Sequence, residues 1–498
     1  MIEIRVHHNG RITAINADAG STLLNILRTN NIDIYSPCGG NGTCGKCNVM
    51  IRDVGLVPSC SYILKEDIEV ILPDKREAKV LVEQHQHTVI LPLMPGNASM
   101  LSVYPHGVAV DIGTTTVVLY LVNLVTGVVT DTRAILNPQA KYGADVITRI
   151  QYTTSHPEGL DTLHNELIAA LNKEIKAMLH IAEITEGELV RIVFAGNTTM
   201  LHLLLKRSPR NLALYPFRPE FTDEQIIKAG ELKLKALEEA EVKVLPSIAA
   251  FVGADIVAGL ASIAPSEKYR NYLFMDIGTN GELALVTENE ILCCSTAAGP
   301  AFEGAKISCG MGAVTGAIAA FGDNGITVIG DEKPSGICGS GLIDIIAWLL
   351  DNKKLNQEGL LTEDYVIVPS GKSGTGSPIS ITQNDIREVQ LAKSAIASGL
   401  KILLKQAGMK FEDIDALFLA GGFGNYINTE SAIKMGLLPE KMKDKIIPLG
   451  NTSGTGAILA LKSVRFDEIV KNLLTRTRHI ELASDEDFEL EFAMNMFF

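Results

Sequence analysis

The chain has 498 residues, enough for two to four domains, and its 46% hydrophobic and 20% charged content is typical of folded globular proteins. The formal net charge is −14 and no Lys/Arg-rich tract occurs, which argues against a nucleic-acid partner. No apolar run reaches the roughly 18 to 20 residues of a membrane span. The opening residues alternate like a strand rather than forming a signal peptide. The sequence therefore predicts a cytoplasmic protein that does not enter a membrane.

Residues 1–74 predict a small β-rich domain. The strands indicated by alternating apolar and polar residues cover 2–6, 11–15, 48–52 and 68–72. A turn at Asn9-Gly10 would join the first two strands as a hairpin. Ser21 is expected to cap a short helix over 23–27. Two strands, a helix and then further strands resemble a β-grasp fold.

Four of the eight cysteines fall within this domain, and they are Cys38, Cys44, Cys47 and Cys60. In a large chain without a secretory signal, such a cluster indicates metal ligation rather than disulfide bonds. Four thiolates bind either a tetrahedral zinc ion or an iron–sulfur cluster. The glycines between them favour the cluster, because a tight loop can direct its N–H groups at sulfide. The spacing resembles that of a plant-type [2Fe–2S] ferredoxin, although the first gap is five residues rather than four.

Residues 75–106 predict a linker that is rich in proline and polar residues. One strand is predicted within it, over 88–93. His85 and His87 are a candidate metal pair, but a solvated linker is the favoured interpretation.

From residue 107 onward the chain alternates predicted strands and helices, which indicates an α/β architecture. An apolar strand followed by Asp-Ile-Gly-Thr occurs at 108–114 and again at 273–279. This repeat indicates two duplicated lobes that face each other across a cleft. We assign the first lobe to 107–270 and the second to 271–498, with the C-terminal part returning to the hinge. Long helices are predicted over 160–181 and 385–407.

Both repeated segments predict phosphate-binding turns. Glycine lets the backbone approach a phosphate, threonine donates hydrogen bonds, and aspartate holds Mg²⁺ through water. The residues of the first turn are Asp111, Gly113, Thr114, Thr115 and Thr116. Those of the second turn are Asp276, Gly278, Thr279, Asn280, Gly281 and Glu282. Facing each other, the turns would hold the phosphates of ATP and one Mg²⁺, to which we assign Asp111 and Asp276.

A third glycine-rich segment follows the apolar strand predicted over 416–419. There, Gly421, Gly422 and Gly424 would let an adenine lie against the backbone, whereas a plain strand-to-helix turn is the alternative.

The remaining cysteines and the C-terminal tail carry no assigned chemistry. Buried thiols are expected at Cys293, Cys294 and Cys338, while Cys309 has no assigned environment. The acidic segment 481–491 is expected to include a solvated face.

In this order, the motifs resemble those of the acetate and sugar kinase, heat-shock chaperone and actin superfamily of ATPases. The resemblance implies a two-lobed actin-like fold in which the three glycine-rich segments bind nucleotide. It further implies that 196–199, which includes Asn197, and 450–456 are the connecting motifs at the hinge. Glu303 is then a candidate for positioning the attacking water.

The N-terminal [2Fe–2S] domain makes the chain similar to the reductive activators of corrinoid proteins. The resemblance implies one-electron reduction of Co(II) to Co(I) in a corrinoid protein, coupled to ATP and fed by a low-potential electron donor. It also implies a homodimer. Some family members contain a separate middle domain before the ATPase, and this sequence is expected to lack it.

Two other functions stay open at this point. The chain could be an ATP-gated electron donor to a non-corrinoid metalloenzyme, or a small-molecule kinase whose cluster senses redox state.

Overall fold

The structure of the protein is a computed structural model. It describes residues 2–8, 11–30, 32, 34, 36, 40, 42, 47–72, 87–93, 105–236, 238–264, 268–330, 332–424 and 426–498. Cys38, Cys44, the predicted Asn9-Gly10 turn and most of the predicted linker lie outside these residues.

The strands are β1 Ile2–His8, β2 Arg11–Ala17, β3 Asn48–Ile51, β4 Gly55–Pro58, β5 Ile68–Ile71, β6 His106–Ile112, β7 Thr116–Asn123, β8 Val129–Leu136, β9 Leu189–Gly196, β10 Gln225–Lys228, β11 Glu241–Val244, β12 Tyr272–Ile277, β13 Gly281–Val286, β14 Ile291–Thr296, β15 Ala317–Gly322, β16 Gly325–Val328, β17 Gly336–Ile337, β18 Tyr365–Val368, β19 Ile379–Ile381, β20 Ala416–Ala420, β21 Ile446–Gly450 and β22 Thr477–His479. The helices are α1 Leu23–Thr29, α2 Val146–Ser155, α3 Gly159–Ile181, α4 Thr198–Leu204, α5 Ala254–Ser262, α6 Gly339–Asp351, α7 Gln383–Gln406, α8 Gly421–Gly424, α9 Thr429–Lys434, α10 Thr452–Lys462, α11 Arg465–Arg476 and α12 Phe488–Met494. The long helices predicted from the sequence are therefore confirmed as α3 and α7.

The N-terminal domain is a five-stranded sheet in the order β2-β1-β5-β3-β4, with α1 packed against it. Strands β1 and β5 run parallel in the centre, and the other neighbours are antiparallel. Alternate residues of β1, Ile4 and Val6, are fully buried against Leu23 and Leu27 of α1. Because this is the β-grasp arrangement, the fold predicted for this domain is confirmed.

The cap of α1 differs from the prediction by one residue. Thr22, rather than Ser21, accepts a hydrogen bond from the backbone of Asn25, at 3.4 Å. The carbonyl of Ser21 instead accepts a hydrogen bond from the backbone of Leu64, which ties this residue to the neighbouring segment.

The rest of the chain contains two six-stranded sheets with the same central topology. The first has the order β10-β11-β9-β6-β7-β8, and the second has the order β21-β20-β12-β13-β14-β22. In each, the strand before the phosphate turn pairs antiparallel with the next strand and parallel with a later strand. This shared topology confirms the α/β, two-lobed fold inferred from the repeated Asp-Ile-Gly-Thr segments.

Helices α5 and α10 pack against each other between the two sheets. The chain leaves the first sheet through α5 and enters the second at β12, and α10 later returns to contact β6 and β9. The prediction that 196–199 forms a hinge connection is therefore wrong, because this segment begins α4 within the first lobe.

The part of the predicted linker that the structure describes, residues 87–93, lies on the body of the protein. Thr88 forms a single antiparallel bridge with Ile263, so the predicted strand over 88–93 is wrong. The ring of His87 contacts those of Tyr269 and Phe418, with both pairs of centroids 5.7 Å apart. His87 is therefore a packing residue rather than part of a solvated linker.

The acidic C-terminal segment packs on α7, and its helix α12 makes this contact. Glu491 pairs with Lys401 at 3.1 Å, Asp487 pairs with Lys405, and Gln406 donates a hydrogen bond to Asp485 at 2.9 Å. The predicted solvated acidic face is thus partly neutralised by the basic side of this helix. Within the described part of the chain, no helix has both the length and the apolar character needed to cross a membrane.

Candidate functional site

The two cluster cysteines that the structure describes lie at the same end of one hairpin. Cys47 immediately precedes β3, and Cys60 follows the end of β4. Asn48 and Pro58 are paired, and Ser59 donates backbone and hydroxyl hydrogen bonds to the carbonyl of Cys47, at 2.9 and 2.8 Å. Cys47 is fully buried and Cys60 is partly exposed. The antiparallel pairing therefore brings two cysteines that are thirteen positions apart to the same end of the hairpin.

The loop that precedes Cys47 requires glycine at two described positions. Gly40 has φ +98° and Gly42 has φ +77°, a region that other residues rarely adopt. A Cβ atom at Gly40 would also lie 3.0 Å from a methyl carbon of Leu24. Two cysteines at one hairpin end, beside a loop with glycine at two positive-φ positions, fit the ligation of an iron–sulfur cluster.

The first phosphate turn is the tight connection between β6 and β7. The backbone N–H of Gly113 donates to the carbonyl of Thr116 at 2.9 Å, and a Cβ at Gly113 would lie only 2.7 Å from that oxygen. Thr114 is buried, whereas Thr115 is exposed at the tip of the turn. Glycine is therefore required for the chain to reverse so closely.

The second phosphate turn connects β12 and β13 in the equivalent position. The backbone N–H of Gly278 donates to the carbonyl of Asn280 at 2.9 Å. Gly281 packs away from the turn, since a Cβ there would lie 2.7 Å from the hydroxyl of Thr296. The side chain of Asn280 hydrogen-bonds to Glu282.

Glu303 connects the two turns. One carboxylate oxygen accepts a hydrogen bond from the hydroxyl of Thr279 at 2.7 Å, and the other accepts from the hydroxyl of Thr115 at 3.2 Å. Thr115 belongs to the first lobe, and Thr279 and Glu303 belong to the second. The turns predicted from the repeat therefore face each other, with one carboxylate between them.

Asp111 and Asp276 lie at the base of the same cleft. Asp111 accepts hydrogen bonds from the hydroxyl of Ser453 at 2.7 Å and from the side-chain amide of Asn451 at 2.9 Å. Burial raises the pKa of Asp111, and these two bonds oppose that shift. Burial and then the charge of Asp111 raise the pKa of Asp276 to about 7. A cation bound near them would favour their ionised forms.

Two more acidic groups, Asp255 and Glu282, lie near these aspartates. Burial, and then the charges of Asp276 and Asp111, raise the pKa of Asp255 to about 8. Burial, followed by the charges of Asp255 and Asp276, raises the pKa of Glu282 well above its ordinary value. Asp255 stands at the start of α5, and its carboxylate accepts from the backbone of Ile256 at 2.9 Å.

These carboxylates are not arranged as a direct metal-binding cluster. Within the ranges that the structure describes, no group of three His, Cys, Asp or Glu side chains could hold a metal ion together. Mg²⁺ commonly keeps several waters and takes one or two carboxylates together with substrate phosphates. The assignment of Asp111 and Asp276 to Mg²⁺ through water stays a prediction.

The third glycine-rich segment lies beside the second turn. Gly421 has φ +81°, and a Cβ there would lie 2.4 Å from a carboxylate oxygen of Asp276. Gly424 packs on Leu419, and Gly422 lies between them in α8. Gly421 is thus required for close approach to Asp276, and the adenine assignment of this segment stays a prediction.

Side chains from several other elements support the first turn. Asn197, a predicted site residue, donates from its amide to the hydroxyl of Thr114 at 3.0 Å. Asn137 donates to the carbonyl of Gly113 at 2.8 Å, and the buried Arg149 donates to the carbonyl of Thr114. Asn451 and Ser453, which bond to Asp111, lie in the 450–456 motif, whose first three residues, Gly-Asn-Thr, also occur at 196–198. Nothing in the sequence marks Arg149.

Three of the four cysteines outside the N-terminal domain have the expected buried environment. Cys293, Cys294 and Cys338 are buried, whereas Cys309 is partly exposed and accepts a hydrogen bond from the backbone of Ser380.

The fold and site define an iron–sulfur protein joined to a two-lobed, actin-like ATPase fold. Residues 6–69 match the 2Fe-2S iron-sulfur cluster binding domain, residues 106–265 match the RACo middle region, and residues 270–498 match the C-terminal domain of RACo, the ASKHA domain. The expectation that the chain lacks the middle domain is therefore wrong. The matching region is the first lobe itself, which carries the first phosphate turn.

The relatives agree with these domain matches. The corrinoid activation enzyme RamQ of Eubacterium limosum is 36% identical over 82% of this chain and 72% of its own length. The [Co(II) methylated amine-specific corrinoid protein] reductase of Methanosarcina barkeri is 29% identical over 77% of this chain and 75% of its own length. A solved structure of a reductive activator for corrinoid, iron-sulfur protein has a TM-score of 0.71 and 29% identity, covering 99% of this chain and 98% of its own. The chain belongs to the family of reductive activators of corrinoid proteins.

Proposed function

We propose that this protein reduces the cobalt of a corrinoid protein from Co(II) to Co(I), one electron at a time, and couples that step to ATP. The observation that carries the proposal is the joining of two sites in one chain. One is the hairpin end that holds Cys47 and Cys60, and the other is the cleft in which Glu303 lies between two phosphate turns. The first site suits an electron carrier, and the second suits a nucleotide-dependent change of lobe position.

Coupling to ATP has an energetic reason. Corrinoid cobalt must be Co(I) to accept a methyl group, and its re-reduction from Co(II) is steeply uphill. A plant-type [2Fe–2S] cluster has a reduction potential of roughly −400 mV. Each one-electron gap of about 59 mV costs a factor of ten in the equilibrium. ATP-driven closure of the lobes would change the contacts with the corrinoid protein and favour a cobalt coordination that is more easily reduced.

The cluster ligands in this proposal are the four cysteines of the N-terminal domain, Cys38, Cys44, Cys47 and Cys60. Of the two that the structure describes, Cys47 is fully buried, which would limit the access of water to a bound cluster. A low-potential donor protein would supply the electron. The homodimer implied by the family resemblance stays a prediction.

The two turns would bind the phosphates of ATP. The donors at the cleft are backbone N–H groups and the hydroxyls of Thr115 and Thr279. Glu303 accepts a hydrogen bond from each of these two hydroxyls. Phosphate oxygens would take over these hydrogen bonds from Glu303. Asp111 and Asp276 would hold Mg²⁺ through water, which would neutralise charge on the phosphates.

Asp255 is a second candidate, beside Glu303, to accept a proton from the attacking water. In the absence of nucleotide, both oxygens of Glu303 bond to threonine hydroxyls, so that Glu303 bridges the lobes. Asp255 is surrounded by protein at the base of the cleft but keeps partial contact with solvent. Its carboxylate receives a hydrogen bond from the adjacent backbone of Ile256.

The direct test is to mix the anaerobically reduced protein with a candidate Co(II) corrinoid protein and to follow the absorbance of Co(I). Formation of Co(I) only in the presence of ATP would support the proposal. The Cys60→Ala variant is the matched control, since it should hydrolyse ATP without producing Co(I). If an intact, ATP-hydrolysing protein produced no Co(I) with any corrinoid protein tested, the acceptor would be a different metalloenzyme and the proposal would be wrong.

A further inference from the structure

Arg28 of the N-terminal domain contacts the first ATPase lobe. Its guanidinium donates a hydrogen bond to the carbonyl of Lys141 and lies 6.0 Å from the ring centroid of Tyr142. Lys141 pairs with Glu166 at 2.9 Å, and the hydroxyl of Tyr142 donates to the same carboxylate at 3.1 Å. We call Lys141, Tyr142 and Glu166 the docking surface. It presents a carbonyl and an aromatic face to the guanidinium, and Glu166 offsets the charge of Lys141, whose ammonium lies 5.3 Å from the same ring centroid.

Arg28 is also in contact with the loop that carries the cluster cysteines. The same side chain donates to the hydroxyl of Ser36, which is fully buried. A Cβ atom at Gly40 would lie 3.6 Å from the guanidinium. One side chain therefore joins the cysteine loop to the docking surface.

The segment that contains Lys141 and Tyr142 is bonded directly to the first phosphate turn. The backbone N–H of Asn137 donates to the carbonyl of Thr115 at 2.8 Å, and its amide donates to the carbonyl of Gly113 at 2.8 Å. A turn of 3-10 helix, Pro138–Lys141, begins at that residue and ends at the docking surface. The turn and the docking surface are thus two ends of one short, hydrogen-bonded segment.

Arg149 also connects the first phosphate turn with the segment that leads to the docking surface. It is fully buried and donates to the carbonyl of Thr114, to the carbonyl of Gly143 at 2.8 Å and to the side chain of Gln139 at 3.3 Å. A fourth partner is the sulfur of Met200, at 3.0 Å, and none of the four is charged. A phosphate at the turn would be a stronger partner for a guanidinium than a neutral oxygen. Its arrival would draw Arg149 away from Gly143 and Gln139 and loosen the segment that holds Arg28.

We propose that ATP binding at the first phosphate turn weakens the docking of the cluster domain on this surface, so that the nucleotide releases the domain to reach its partner. This inference rests on the proposed function, since it assigns the cleft to ATP. Coupling between two sites is reciprocal, so loss of the docking contact must strengthen nucleotide binding by the same factor. Nucleotide affinity therefore reports on docking without any corrinoid protein.

The test uses the full-length, cluster-loaded protein under anaerobic conditions. The Kd for a non-hydrolysable ATP analogue with Mg²⁺ is measured by calorimetry for the wild type, Arg28→Ala and Tyr142→Ala. We expect each variant to bind at least about fivefold more tightly than the wild type, the lower end of typical coupling. Both substitutions remove the same contact, between Arg28 and Tyr142. The double variant should therefore bind the nucleotide no more tightly than either single variant. In the wild type, the nucleotide should also speed amide hydrogen exchange over residues 138–145.

The matched control is Arg52→Ala, which removes an arginine of the same domain that pairs with Glu69. Its Kd should equal that of the wild type, and the visible spectrum of the cluster checks the fold of each variant. Failure of the wild type to bind nucleotide would contradict the proposed function itself. Nucleotide binding with unchanged Kd in Arg28→Ala and Tyr142→Ala, or unchanged exchange over 138–145, would overturn the docking inference and leave the proposed function standing.

Discussion

Gly456 of α10 lies directly against the backbone carbonyl of Ala258 in α5. A Cβ atom at Gly456 would stand 2.2 Å from that oxygen, well inside contact distance. In the neighbouring turn, a Cβ at Gly259 would lie 2.7 Å from the hydroxyl of Thr452. Two helices from distant parts of the chain thus approach to backbone contact, and they do so where the lobes meet.

The close approach predicts that Gly456→Ala destabilises the protein. The added methyl would push α10 from α5, and overpacking of this kind costs about 1–3 kcal/mol. The melting temperature should fall, and ATP hydrolysis should fall with it because the helices set the position of the lobes. Gly371→Ala is the control, since a Cβ there has open space around it. Equal melting temperatures for the two variants would contradict the close contact.

The bridge made by Glu303 predicts a stability effect that depends on nucleotide. Glu303→Ala removes the hydrogen bonds from Thr115 and Thr279, and bonds to a charged group are worth about 1.5–3 kcal/mol. The nucleotide-free protein should lose a few degrees in melting temperature, whereas the nucleotide-bound protein should lose less because phosphates replace the carboxylate. Thermal denaturation with and without an ATP analogue measures this difference. Glu388→Ala removes a surface ion pair with Lys306 and should not depend on nucleotide.

Much of this cleft could be predicted because its residues repeat. The two Asp-Ile-Gly-Thr segments identified both turns, and their facing arrangement follows from duplicated topology. The family resemblance identified Asn197 and the 450–456 segment, but not the hydrogen bonds that either makes. Asn451 and Ser453 contact Asp111 only because α10 returns across more than three hundred positions of sequence to the first lobe.

Other parts of the site had no local signal. Arg149 and Asn137 support the first turn from elements whose side chains look unremarkable in sequence. The docking of Arg28 on Lys141 depends on how two domains lie together, which neither periodicity nor spacing encodes. The middle region was missed for a related reason: the first lobe was assigned wholly to the ATPase, so that nothing remained to match it.

The hairpin of β3 and β4 predicts which thiols bind the iron of the cluster. Cys60→Ala should lower the iron content and bleach the visible absorbance of the cluster, because Cys60 lies beside Cys47 at the hairpin end. Cys309→Ala, which changes a partly exposed thiol of the second lobe, should retain both. ATP hydrolysis in the absence of an acceptor should persist in both variants. Full iron content in Cys60→Ala would remove this residue from the ligand set.

Asp255 predicts opposite effects of one substitution on stability and on catalysis. Since its pKa is raised to about 8 in the folded protein, from about 4 when unfolded, the folded state binds more protons between these values. The carboxylate therefore costs stability as the pH rises from about 4 to 8. Asp255→Asn should raise the melting temperature at pH 8, with a smaller gain at pH 5, in buffer free of metal and nucleotide.

The same variant should lose catalysis, because an amide cannot accept the proton of the attacking water. General-base catalysis contributes about 10²- to 10⁴-fold, so ATP hydrolysis at saturation should fall by that order while nucleotide affinity is retained. Asp344→Asn is the control, since Asp344 also has a pKa raised by burial but lies in α6. A single-turnover assay separates hydrolysis from product release. Normal hydrolysis in Asp255→Asn would exclude Asp255 as the base, whereas a pH-independent melting difference would contradict its raised pKa.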